Sequence, residues 1–128
     1  MDNAVIVSGA RTPIGRYGGA FKSLKASDLG AIAIKSAIER SGITPSDVEE
    51  VILGNALQTD EAGYASRMAS LKSGISHEVP TIAINRQCSS GLEAINIAAQ
   101  MIISGAIDIA VAGGIAVSYT HLTLPTKA

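Results

Sequence analysis

The chain has 128 residues and a formal charge of −1, with 47% apolar, 16% charged and 3% aromatic residues. That is one ordinary domain at most, long enough to bury a core, and it offers neither a basic face nor an aromatic platform for nucleic acid. A single cysteine excludes a disulfide framework, and two scattered histidines argue against a metal site.

Met1-Asp2-Asn3 lacks the positive region of a signal peptide, so a cytoplasmic or organelle-matrix protein is expected. Ala4-Val5-Ile6-Val7 is a continuous apolar run, the pattern of a strand covered on both faces. The glycine-rich stretch from Gly9 to Gly19 then reads as a loop. Its spacing is not that of a dinucleotide-binding turn, and no acidic ribose partner follows, so that function is set aside. Ser27 is a suitable N-cap, and Leu29, Ile32, Ala33, Ala37 and Ile38 form one helical stripe up to Gly42, a natural C′ residue. Thr44-Pro45-Ser46-Asp47 predicts a short helical turn with proline at its first position. Val51 to Leu57 is a second strand, followed by a polar loop from Gln58 to Gly63. A second helix is expected over about Tyr64 to Ser73, with Ala65, Met68, Ala69 and Lys72 on one side and Gly74 closing it. Arg67 reads as a solvated helix residue and His77 as a loop residue.

Pro80-Thr81-Ile82-Ala83-Ile84 is short, apolar and β-branched, a buried strand. After it, Leu92, Ile95, Ala98, Ala99 and Ile102 recur at helical spacing. Ile107 to Ala112 makes a fourth strand. The stretch from Ala94 to Val117 holds few polar residues, and a membrane span needs about 20 apolar ones. Ser104-Gly105 is nevertheless a helix stop, and Asp108 lies near the middle, so two buried elements joined by a turn fit better. The resulting order is β-α-β-α-β-α-β, an α/β fold with a mostly parallel sheet and helices on both faces. The third helix is apolar nearly all round and must be covered on every side, whereas a sheet covers only one.

Between the third strand and the third helix stands Asn85-Arg86-Gln87-Cys88-Ser89-Ser90-Gly91-Leu92. Cys88 is expected in the first turn of the helix, where unpaired N–H groups and the positive dipole end favour an anion. A thiol placed there ionises more easily, and thiolate is the reactive form. Ser89 and Ser90 suit a helix start, and Gly91 lets another backbone or a ligand approach. The competing reading is that a free cysteine packs as a small inert hydrophobe.

The segment Asn85 to Ala94 resembles the surroundings of the acyl-accepting cysteine in thiolases, the acetyl-CoA and 3-ketoacyl-CoA acyltransferases. Val7-Ser8-Gly9-Ala10-Arg11-Thr12-Pro13-Ile14-Gly15, with Gly18-Gly19-Ala20, is similar to the family's opening strand and loop. Arg67 to Gly74 resembles the helix before the cysteine strand, and Ala112-Gly113-Gly114 the strand after the cysteine helix. The resemblance implies that Cys88 accepts an acyl group from acetyl-CoA or a 3-ketoacyl-CoA. The acyl-enzyme is then attacked by CoA or by an acetyl-CoA carbanion. The backbone N–H of Cys88 would help to hold the oxyanion. It implies no cofactor beyond the CoA thioester substrate, no membrane or nucleic-acid partner, and a homodimer or homotetramer for the full-length enzyme. It also implies a twin half whose cysteine-bearing helix packs against this one between two sheets.

The resemblance implies that residues 1–117 are an incomplete thiolase N-terminal domain. Ser118 to Ala128 resembles neither the family nor a natural continuation, and reads as read-through or adaptor sequence. His121 in that tail is no candidate base. The family's Gly-His-Pro, Asn-Glu-Ala-Phe and Cys-x-Gly segments do not occur here, so the chain alone is expected to lack turnover. A ketoacyl-carrier-protein synthase fragment and a non-catalytic assembly module of the same fold are the two alternatives. Asn85-Arg86 and Arg11-Thr12-Pro13 favour the thiolase reading over the first.

Overall fold

The computed structural model describes residues 3–15, 18–21, 23–56 and 64–115. Its elements are α1 (Ala26–Ser41), a 3₁₀ turn (Pro45–Asp47), β1 (Glu50–Gly54), α2 (Ala65–Lys72), β2 (Thr81–Ile84), α3 (Ser90–Ile103) and β3 (Ala110–Gly114). The strands form one parallel sheet in the order β2-β1-β3. Ile52 sits opposite Ile82 on one side and Ala112 on the other.

Helices cover both faces, as the alternation of elements predicts. Val51 and Leu53 join Ile34, Ile38, Ala65 and Ala69 in one core, so α1 and α2 share a face. Ile52 points the other way and packs with Ala94 and Ala98 of α3. The reason is handedness. From β1 the chain moves sideways to β2, and from β2 it returns past β1 to β3. Two right-handed crossovers in opposite directions must lie on opposite faces of the sheet. The run Val51-Ile52-Leu53 lacks polar alternation because both of its sides are inside.

Local signals set most boundaries. Gly42 closes α1 in the left-handed region at φ 80°, and Pro45 opens the 3₁₀ turn, where the Thr44 N–H donates to Asp47 Oδ2 at 2.8 Å. Gly74 and Gly105 follow α2 and α3 with φ of 95° and 81°. The expected N-cap of α1 is displaced, however. Lys25 occupies the cap position and its N–H donates to Asp28 Oδ2 at 2.8 Å. Ser27 lies within the helix, fully buried, because its hydroxyl accepts the Lys72 ammonium at 2.6 Å and so ties α1 to α2.

Two further expectations are corrected. Ala4-Val5-Ile6-Val7 forms no strand, and Val5, Ile6 and Val7 are 73%, 81% and 71% exposed. β2 and β3 occupy both ladders of β1, so no place beside the central strand is left for this run. The described order is therefore α-β-α-β-α-β, without a leading strand. β2 is not buried either: it is an edge strand, with Ile82 and Ala83 exposed. The cover of α3 within this chain is one-sided, as expected where the sheet is its main neighbour. Ser90, Ala94 and Ala98 are its buried residues, while Leu92, Ile95 and Ile103 stay exposed. The expected loop from Gln58 to Gly63 and the tail from Ser118 both fall outside the described residues.

Among the described residues no helix is long and apolar enough to cross a membrane. The apolar stretch after Ala94 is instead α3, a turn, and β3.

Candidate active site

The carboxyl ends of the three parallel strands lie side by side, the edge at which open α/β sheets bind ligands. β2 leads into the turn Asn85 to Ser89 at this edge, and α3 rises from it. Three glycines seat that helix. A Cβ added to Gly54 would lie 2.4 Å from the Ser90 carbonyl carbon and 2.7 Å from the Gly91 nitrogen. One added to Gly114 would lie 3.3 Å from Gly91 Cα. The first turn of α3 thus rests directly on the backbone ends of β1 and β3. The close approach expected at Gly91 is made by Gly114.

The turn itself is densely tied. The Gln87 N–H donates to Asn85 Oδ1 at 3.0 Å. Ser89 donates through its hydroxyl to the Arg86 carbonyl at 2.9 Å, and its N–H reaches the same oxygen at 3.2 Å. Ser90 bridges the Arg86 N–H and the Gln87 carbonyl at 2.8 and 2.7 Å. Outside the turn, the Arg86 guanidinium pairs with Glu93 Oε2 at 3.2 Å, which fastens the turn to the first turn of α3. Gln87 has φ 53° and is the one non-glycine residue among those described in the left-handed region. A non-glycine residue adopts that conformation at a cost, and the surrounding bonds impose it here.

Cys88 follows Gln87 and is exposed. It belongs to neither core cluster of this chain. Its place differs slightly from expectation. Ser89 is the N-cap and Ser90 the first helical residue, so Cys88 precedes the helix instead of lying in its first turn. The tight turn uses Ser89 and Ser90 for its own hydrogen bonds, which delays the helix.

Arg67 is no solvated residue. Its guanidinium donates to the Val79 carbonyl at 2.6 Å, the His77 carbonyl at 2.5 Å and Thr81 Oγ1 at 3.4 Å. It therefore holds the segment that enters β2, the strand carrying the cysteine turn. The clue available in the sequence was a lone arginine amid small residues on a helix that must pack. His77 is an exposed loop residue, as expected, and His121 lies outside the described residues. Among the described residues no group of three or more histidine, cysteine or acidic side chains is placed to hold a metal.

The site is thus an exposed cysteine on a strand–turn–helix junction at the carboxyl edge of a parallel sheet with helices on both faces. Comparison with known proteins gives the family. The family model described as "Thiolase, N-terminal domain" matches residues 4–123, and this chain belongs to the thiolase family. A protein named "Probable acetyl-CoA acyltransferase" from Staphylococcus aureus strain NCTC 8325 is 44% identical over 114 residues, covering 89% of this chain and 29% of the relative. Proteins of the same name from strains COL and MRSA252 match to the same extent. The chain spans about three-tenths of the length of the curated relatives it matches.

Proposed function

We propose that this chain is the nucleophile-bearing part of a thiolase-type acyltransferase, in which Cys88 accepts an acyl group from acetyl-CoA or a 3-ketoacyl-CoA. The observation that supports this reading is the exposed, sole cysteine on a fully tied turn at the carboxyl edge of the sheet, within the stretch matched by the family. Acyl transfer between sulfurs suits such a site, because the incoming and leaving groups are alike and the exchange is nearly balanced. The Cys88 sulfur forms the thioester, and the Cys88 N–H helps to hold the tetrahedral oxyanion. The acyl group then passes to CoA in thiolysis or to an acetyl-CoA carbanion in condensation. No resident cofactor takes part beyond the CoA thioester.

The proton-handling groups belong to the rest of the full-length enzyme, so the 128-residue chain alone is inactive in turnover. That remaining polypeptide also covers the exposed side of α3, and the complete enzyme is a cytoplasmic homodimer or homotetramer. The exposed Leu92, Ile95 and Ile103 support the first of these, the cover over α3, since such an apolar face is a contact surface or an aggregation liability.

The test is direct. Incubation of the purified chain with acetyl-CoA, followed by peptide mass mapping, should place one acetyl group on Cys88, and none on a Cys88→Ser chain under conditions that cleave oxygen esters. Cleavage of a 3-ketoacyl-CoA by the chain should be undetectable. Measurable turnover would sink the division of labour, and an unmodified Cys88 would sink the nucleophile.

A further inference from the structure

The turn carrying Cys88 depends on one hydroxyl that the acyl-transfer reading leaves without a role. Ser90 is 3% exposed. Its oxygen accepts the Arg86 N–H at 2.8 Å and donates to the Gln87 carbonyl at 2.7 Å. The Ser90 N–H reaches that same carbonyl at 3.2 Å. A serine at a helix start ordinarily accepts from an N–H further along the helix. Ser90 instead reaches back into the turn.

The consequence lies in the peptide plane. The Gln87 carbonyl and the Cys88 N–H belong to one planar unit and point in opposite directions across it. Two donors on the carbonyl therefore fix where the Cys88 N–H points, away from Ser90. They also polarise the amide, which makes that N–H a stronger donor. The left-handed Gln87, φ 53°, is the conformation that this grip sustains.

We propose that Ser90 is a positioning residue of the acyl-transfer site: its hydroxyl sets and polarises the Gln87–Cys88 peptide so that the Cys88 N–H meets the oxyanion formed as Cys88 is acylated. The inference rests on the reading of Cys88 as the acyl acceptor. In that step the Cys88 sulfur, its proton passed to buffer, bonds to the acetyl carbonyl carbon. The tetrahedral intermediate collapses with cleavage of the carbon–sulfur bond to CoA, which leaves as thiolate and takes up a proton from buffer.

Two reactions of Cys88 in the 128-residue chain separate this role from a merely structural one. Acetyl transfer from acetyl-CoA passes through an oxyanion, whereas alkylation by iodoacetamide displaces iodide with no oxyanion. Ser90→Ala is expected to slow acetyl transfer roughly three- to tenfold, the range of one net hydrogen bond, and to leave alkylation unchanged. Ser90→Thr, which keeps the hydroxyl, is expected to restore the wild-type rate. Equal slowing of both reactions, or of neither, overturns the proposal. Should Ser90→Ala not fold, Ser90→Thr decides alone: a wild-type ratio of the two rates supports the role and a lowered ratio overturns it. If the wild-type chain takes up no acetyl group, the nucleophile reading fails by itself. The Gln87 amide–Hα coupling by NMR then judges the positioning: a change to negative φ in Ser90→Ala sustains it, and an unchanged coupling overturns it.

Discussion

Two apolar runs in this chain are nearly interchangeable as sequence, and the fold treats them in opposite ways. Val51-Ile52-Leu53 is almost completely buried at the centre of the sheet, whereas Val5-Ile6-Val7 is more than two-thirds exposed. Both are short, aliphatic and free of polar alternation. The difference is partnership: the first has β2 and β3 hydrogen-bonded on either side and a core on each face. The second is near Arg40, whose Nη1 donates to the Gly9 carbonyl at 3.1 Å, but has no ladder. Composition states that a segment belongs inside something. It does not state which neighbour gets there first.

Mutations sharpen that contrast. Leu53→Ala should cost the most, about 2–5 kcal/mol, because it opens a cavity between the sheet and α1–α2. A fall in the urea midpoint at constant slope is the expected readout. Gly54→Ala comes next, at about 1–3 kcal/mol, since its methyl would stand 2.4 Å from the Ser90 carbonyl carbon and push α3 off the sheet. Amide chemical shifts from Asn85 to Glu93 should move as well. If they do not, the seat of α3 is not backbone on backbone.

Glu50 opens the buried strand and gives a smaller, pH-dependent effect. Burial raises its carboxyl above the ordinary value, so the folded state binds the proton more readily than the unfolded one. The associated stability is complete below the ordinary glutamate range and is lost as pH rises through the raised value. Glu50→Gln should therefore gain on the wild type as pH rises from the ordinary glutamate range through the raised value, and stability curves that stay parallel over that rise would refute it. Ile6→Ser should have the smallest effect, within about 0.5 kcal/mol, as for an exposed site. A loss comparable to that of Leu53→Ala would mean that the opening run pairs with a sheet in solution.

The site was partly legible in the same way. Asn85 to Gly91 marks a strand–turn–helix junction by its residues alone, and resemblance singled out Cys88. Neither disclosed that Ser90 turns back to grip Gln87, or that Arg67 clamps His77 and Val79 from the preceding helix. Hydroxyls and guanidinium groups have several possible partners, and only the folded chain selects among them. Asp28 illustrates the point. Its carboxyl is held below the ordinary value by the Lys25 N–H first and by the Lys72 ammonium second, and Lys72 is brought within reach only by the docking of α2 on α1.

What the sequence determined unaided is local: the helix ends at Gly42, Gly74 and Gly105, the proline-led turn, the alternation that puts helices on both faces, and the family carried by ordered motifs. Each follows from backbone preferences or spacing within a few residues. The tertiary structure alone decided which apolar segments were paired, that β2 is an edge, and that the cysteine stands before its helix. Those outcomes depend on competition for hydrogen-bonding ladders and packing surfaces between segments far apart in the chain, which no local pattern encodes.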